Sequence, residues 1–194
     1  MPCAVLFAST TWQTIASGPL RVLDERLARA VVGRGPAGLT EFLADLGNTV
    51  VALPVLAVCV AHALFRRLRG DAVAAVLAMA LVPVLIAPLK ALTDRPGPLT
   101  AETGYFPSGH AATAMVAYGW SALLLAPAPR RWTMSVAALL TAATGVGLVL
   151  RGYHWPLDVI ASWSLCGVLL LVSSGWRRWR PPPRASTPPA ARGR

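Results

Sequence analysis

Two histidines, an aspartate and three cations stand out in a chain that is otherwise poor in ionisable side chains. His154 and Asp158 lie four residues apart in Arg151-Gly152-Tyr153-His154-Trp155-Pro156-Leu157-Asp158. Pro156 suits the first turn of a helix, so His154 stands at the start of that helix and Asp158 on the same face one turn on. A carboxylate placed there accepts a proton from one imidazole nitrogen, fixes the tautomer and leaves the other nitrogen free to attack, which is the orienting logic of a triad. His110 heads another helix in Tyr105-Phe106-Pro107-Ser108-Gly109-His110 and suits a general acid. Ser108 and Gly109 offer a hydroxyl and backbone N–H groups at that helix N-terminus, a natural seat for phosphate. Lys90 and Arg95 in KALTDRPGP, together with Arg151, would neutralise phosphoryl oxygens. The set makes sense for phosphoryl transfer through a phosphohistidine. Single members also have plainer readings: Ser-Gly-His alone is a weak signal, and Lys90 and Arg95 would equally bind lipid headgroups. Histidine and aspartate at membrane depth are nevertheless rare enough to count as functional by default.

The elements that must hold these residues are helical and membrane-bound. Of 194 residues, 55% are hydrophobic and 13% charged, and the mean hydropathy is +0.56. An ordinary soluble domain has roughly a quarter of its residues charged, so a soluble globular fold is excluded. A net charge of +10 invites comparison with nucleic-acid binders. The arginines, however, lie between long uncharged runs rather than along one surface, so no nucleic-acid partner is expected. About 20 apolar residues span the hydrocarbon as a helix. Five stretches qualify, at about 46–64, 72–89, 109–127, 132–150 and 155–176. Pro54, Pro83 and Pro88 fall inside spans and kink rather than end them.

The N-terminal residues read differently. Leu20, Leu23, Leu27 and Val31 recur at helical spacing among Arg21, Asp24, Glu25, Arg26 and Arg29, which describes an amphipathic helix along the interface. Gly33, Gly35 and Pro36 end it, and residues 38–45 lead into the first span. Residues 1–16 lack the basic start of a signal peptide, and a sixth span drawn partly from residues 4–20 is the alternative. The expected fold is therefore all-α, an integral membrane bundle of about five helices plus an N-terminal interfacial helix. Its organisation is residues 1–40 as the N-terminal segment, 41–176 as the membrane domain and 177–194 as a disordered basic tail. Trp12, Trp120, Trp132, Trp155, Trp176 and Trp179 read mainly as interface anchors. Cys3, Cys59 and Cys166 are too scattered for a disulfide framework or a metal site.

Eleven of the basic residues report orientation: Arg66, Arg67 and Arg69, then Arg130 and Arg131, then the six arginines after residue 176. The positive-inside rule makes that side cytoplasmic, with the tail. The opposite loops hold just Lys90, Arg95 and Arg151, so the reactive cluster faces the extracytoplasmic side of a plasma membrane.

The motifs, in this order and sidedness, resemble the type 2 phosphatidic acid phosphatase family, relatives of the vanadium haloperoxidases. The family carries Lys, six residues, then Arg-Pro; Pro-Ser-Gly-His; and Ser-Arg, five residues, His, three residues, Asp. The second motif is intact as Pro107-Ser108-Gly109-His110, and the third keeps His154 and Asp158. The resemblance implies a lipid phosphatase with His154 as nucleophile, Asp158 as its partner and His110 as the acid on the leaving group. Ser108, Gly109 and Lys90 would hold phosphate, and neither a metal nor another cofactor is implied. Both family arginines are out of register here. Counted from Lys90, Arg-Pro falls on Gly97-Pro98, whereas Arg95-Pro96 comes two residues early. Counted back from His154, Ser-Arg falls on Gly147-Leu148, whereas Arg151 comes three residues late. If the fourth span continues through 151, residues 148 and 151 share a face about 4.5 Å apart along the axis, so Arg95 and Arg151 are expected to substitute for the displaced pair. The expected substrate is a lipid phosphomonoester or a prenyl (di)phosphate, with surrounding membrane lipids as the other partner. The alternative is a weakened or non-enzymatic membrane protein that binds or translocates lipid phosphates.

Overall fold

A computed structural model describes residues 2–125 and 130–175. Among these residues there are eight helices and no strand: α1 (Pro2–Ile15), α2 (Pro19–Val31), α3 (Ala37–Asp45), α4 (Thr49–Phe65), α5 (Arg69–Thr93), α6 (Gly109–Leu124), α7 (Arg130–Leu150) and α8 (Pro156–Gly175). The expected tail, the end of the third span and Trp176 and Trp179 lie outside the described residues.

The bundle is built around α6, which packs against α4, α5, α7 and α8. Its composition explains that place. Ala111, Ala112, Ala114, Ala117 and Gly119 let neighbouring backbones approach closely, the usual basis of helix association where burial in lipid supplies no hydrophobic drive. A Cβ added at Gly119 would lie 2.6 Å from Leu170 Cδ1 of α8. The crossing of α3 and α7 is tighter still, since a Cβ at Gly147 would lie 2.3 Å from the Ala44 backbone nitrogen.

By length and apolarity, α5, α7 and α8 can each cross a membrane, and α3 with α4 makes a fourth span if the pair, bent by 46°, is taken as one. The described helices thus give three or four candidate spans; the expected third span corresponds to α6, of which 16 residues are described, about 24 Å at 1.5 Å per residue. Its walls are other helices rather than lipid. Residues 38–45 do not simply run into the first span: they form α3, and the break at residues 46–48 is held by Tyr118 Oη donating to the Leu46 carbonyl (2.6 Å). α4 then starts on Asn48, whose side chain accepts from Val50 N (3.2 Å). The helices continue through Pro54, Pro83 and Pro88.

The N-terminal residues, for which the sequence offers a sixth span drawn partly from residues 4–20 as the alternative, form the 14-residue helix α1 along α8. In α2 the expected apolar stripe is turned outward, with Leu20, Leu23 and Leu27 exposed, while Asp24 and Ala28 are buried. Two of the expected interface anchors are instead internal. Trp120 is fully buried and donates to Ser173 Oγ (3.2 Å), and Trp155 donates to the Pro96 carbonyl (2.9 Å). An indole placed among helices finds its partner in protein, whereas Trp12 and Trp132 stay exposed.

Candidate active site

His154 closes the turn between α7 and α8. α7 ends at Leu150, and the amides of Tyr153 and His154 both donate to the Leu148 carbonyl (2.9 and 3.3 Å), which satisfies an otherwise orphaned helix-end acceptor. Asp158, in the first turn of α8, is completely buried. Its Oδ2 lies 3.4 Å from His154 Nδ1 and accepts from Trp155 N (3.1 Å). The i,i+4 pair read from the sequence is therefore present as a contact, long for a hydrogen bond. Tyr105 tilts against the His154 ring, with centroids 5.6 Å apart.

His110 stands at the second position of α6, within electrostatic reach of His154, Lys90 and Asp45. Ser108 is the N-cap and is fully committed inside the protein. Its Oγ accepts from Ala111 N (3.3 Å), its N–H donates to the Asp158 carbonyl (3.2 Å), and its own carbonyl accepts from Ser162 Oγ (2.8 Å). These bonds tie the start of α6 to α8. The amides of Gly109 and His110 follow the cap and have no intrahelical partner to bond. A Cβ at Gly109 would meet open space. Lys90 Nζ, from α5, donates to the Gly104 carbonyl (2.7 Å) at the edge of the same group and lies within electrostatic reach of Asp158.

The two arginines are placed differently from one another. Arg95 is buried, with Nη1 on Asp158 Oδ1 (2.5 Å) and Nη2 on Asp24 Oδ2 (2.6 Å). The Trp155 ring covers its guanidinium at 5.2 Å, and Nε is buried without a hydrogen-bond partner. Arg151 lies on the turn after α7, paired with Glu41 Oε2 of α3 (2.6 Å) and over the Tyr153 ring. The position that the family motif would give to its arginine is occupied by Leu148, 1% exposed and packed with Ala44, Ala111 and Val159. The helix does not continue through Arg151, as the shared-face geometry required, but stops one residue before it.

Asp24 was not singled out by the sequence reading. Besides Arg95, it accepts from Leu157 N at its Oδ1 (2.8 Å), so a residue of α2 reaches the first turn of α8. Burial pushes its carboxyl above the ordinary value, against the opposing pull of Arg95 and the Leu157 N–H. A signal for it existed. At 100° per residue Asp24 falls about 40° from Leu20 and about 20° from Val31, making it the charge that borders the apolar stripe most closely.

Beside His110 opens a cleft of about 1100 Å³ between α4, α5 and α6. Asn48, Thr49, Gly109 and His110 line one end, and Leu53, Val60, Leu64, Val76 and Ile86 are among the apolar residues that line the rest. From Thr49 to Leu64 it follows α4 for about 22 Å. Among the described residues, no three His, Cys, Asp or Glu side chains are grouped as metal ligands.

Comparison with known proteins gives a family and a fold. The family model of the PAP2 superfamily matches residues 71–182. Phosphatidylglycerophosphatase B of Escherichia coli strain K12 is 44% identical over 75 residues, covering 34% of this chain and 28% of that protein. The matched stretch thus spans under a third of that relative's length. The undecaprenyl-diphosphatase of Sulfolobus acidocaldarius is 31% identical over 139 residues, covering 66% of this chain and 64% of the relative. A transmembrane PAP2-type phosphatidylglycerolphosphate phosphatase from Bacillus subtilis shares the fold. Its TM-score is 0.80 at 21% identity, over 94% of this chain and 98% of that one.

Proposed function

The chain belongs to the PAP2 superfamily, and on that premise we propose that it is a membrane lipid phosphatase working through a phosphohistidine at the extracytoplasmic face. The observation that carries this reading is the placing of His154 and Lys90 within electrostatic reach of His110, which itself lines a lipid-sized apolar cleft. The Nδ1–H of His154 is held toward Asp158, which leaves Nε2 as the attacking atom. Attack forms the N–P bond and breaks the bond from phosphorus to the leaving oxygen, which takes its proton from His110. Water then attacks the phosphohistidine, His110 recovers a proton from it, and the N–P bond breaks to release phosphate. The long His154–Asp158 contact shortens as positive charge develops on the imidazole.

Lys90 and the Gly109 and His110 amides supply phosphate contacts in this scheme, with Arg151 a further cation at the rim and Arg95 behind them, its guanidinium held by Asp24 and Asp158. Ser108 serves by capping α6 and so aiming those amides. No step is assigned to a metal. The lipid chain lies along the α4–α5 cleft, which suits a prenyl diphosphate or phosphatidylglycerol phosphate, the two substrate classes named in the relatives. Orientation follows from the arginines at the α4–α5 junction, which lie at the helix ends opposite the reactive cluster and make the plasma membrane's cytoplasmic side theirs.

Filling of the family's arginine position by Leu148 favours a second reading, a protein that binds or translocates lipid phosphates without turnover. Phosphate release from undecaprenyl diphosphate and from phosphatidylglycerol phosphate in detergent micelles separates the two. The phosphatase reading requires turnover by wild type, abolished in His154→Ala and sensitive to vanadate; micelle binding with no phosphate released from either lipid would establish the second.

A further inference from the structure

Asp24 belongs to a helix that carries neither reactive histidine, yet its carboxylate closes a buried cluster with the pair that does the chemistry. Its side chain is 2% exposed, that of Arg95 1% and that of Asp158 0%. One guanidinium therefore lies between two carboxylates, and the cluster has a net charge of −1. A guanidinium shared in this way leaves Asp158 more negative, as seen from His154, than a one-to-one pair would. Asp24 also holds backbone, because its second oxygen accepts from Leu157 N, the residue before Asp158.

We propose that Asp24 is a positioning residue for hydrolysis. By sharing Arg95 with Asp158 and holding the first turn of α8, it sets the place of the His154–Asp158 pair and the negative charge against which His154 becomes cationic. The proposal rests on His154 as nucleophile. The other ionisable groups facing this assembly are Lys90 from α5, His110 from α6, Asp45 at the end of α3 acting on His110, and Tyr105 against the His154 ring. Among the described residues, Arg95 is the cation in contact with Asp158. Removing the charge of Asp24 therefore changes what His154 experiences through Asp158 without touching the phosphate seat.

The test compares wild type, Asp24→Asn and His154→Ala in detergent, with kcat and KM for undecaprenyl diphosphate or phosphatidylglycerol phosphate, whichever wild type hydrolyses, measured across pH and expressed per folded molecule. Asp24→Asn is expected to lower kcat about tenfold, with KM within about twofold. Loss of one negative charge makes the imidazolium of His154 less stable, so the acid limb of the kcat/KM profile moves down by about one pH unit. A neutral variant with wild-type kcat and an unmoved acid limb overturns the proposal. So does activity lost solely in proportion to lost folded protein, which would make Asp24 merely structural. If Asp24→Asn yields no folded protein, Asp24→Glu decides. It keeps the charge but displaces Arg95, so a lowered kcat with the acid limb in place supports the proposal and a wild-type kcat overturns it. Failure of the underlying reading is seen separately, as turnover that survives His154→Ala.

Discussion

Arg95 and Arg151 are the same residue type, each paired with a carboxylate near the same site, and they differ chiefly in access to water. Arg95 is shared by two buried carboxylates under an indole ring. Arg151 meets one carboxylate, with side chains 34% and 39% exposed, above a tyrosine ring. Charges buried together are bound to their partners, since a lone ion there is uncompensated, whereas an exposed pair exchanges its partner for water or another anion at little cost. The buried arginine is thus part of the frame. The exposed one is free to be recruited by a phosphate.

Arg95→Ala attacks the buried side directly and is expected to have the largest effect. It leaves Asp24 and Asp158 without their cation, and stability should fall by about 3–5 kcal/mol, read by thermal unfolding in detergent. Arg95→Lys should rescue little, because a point charge does not bridge two carboxylates as a planar fork does. A thermally normal Arg95→Ala protein would erase the contrast.

Gly147→Ser comes next, testing whether the Arg151 region could hold the family's Ser-Arg sequence. Its Cβ would collide with the Ala44 backbone, so α3 must shift, at about 1–3 kcal/mol by the same measurement. Unchanged stability would mean that the missing serine is not excluded by packing.

Smaller effects concern the phosphate seat that both arginines flank. Gly109→Ala adds a methyl group facing open space, so Tm should hold while KM for the lipid phosphate rises about tenfold. Arg151→Ala should also leave Tm unchanged, with kcat/KM falling up to about tenfold as one charge-assisted contact is lost. Wild-type turnover in that variant would remove Arg151 from the site.

The smallest effect is a slope. Burial raises the Asp24 carboxyl above its ordinary 3.8, so the folded chain keeps that proton to higher pH than the unfolded one. The associated stability is present below 3.8 and is lost as pH rises through the raised folded value. Asp24→Asn should flatten that part of a plot of Tm against pH. An identical slope in the variant would show that Asp24 does not titrate in this window.

The legible parts of the site are those one helical turn specifies. His154 and Asp158 are four residues apart, and Ser108 caps the helix it precedes, so spacing alone placed them correctly. The contact between Asp24 and Arg95 joins residues 71 apart, so no local spacing in the sequence announces it. Trp120 was misjudged for the same kind of reason, since a tryptophan near a span end looks alike whether lipid or a neighbouring helix surrounds it. At α6 the apolar length is visible in the sequence, but its enclosure by other helices is not.

Sequence alone thus determined the all-helical membrane class and the local pairs that turn and cap geometry dictate. It also determined the family, because its motifs are strings of neighbouring residues. Tertiary structure decided which carboxylate meets which guanidinium, which arginine lies in water, and that Leu148 fills the arginine position. Those outcomes depend on how closely the helices approach at Gly47, Gly119 and Gly147. Such distances are set by packing between segments far apart in the chain, and no local spacing encodes them.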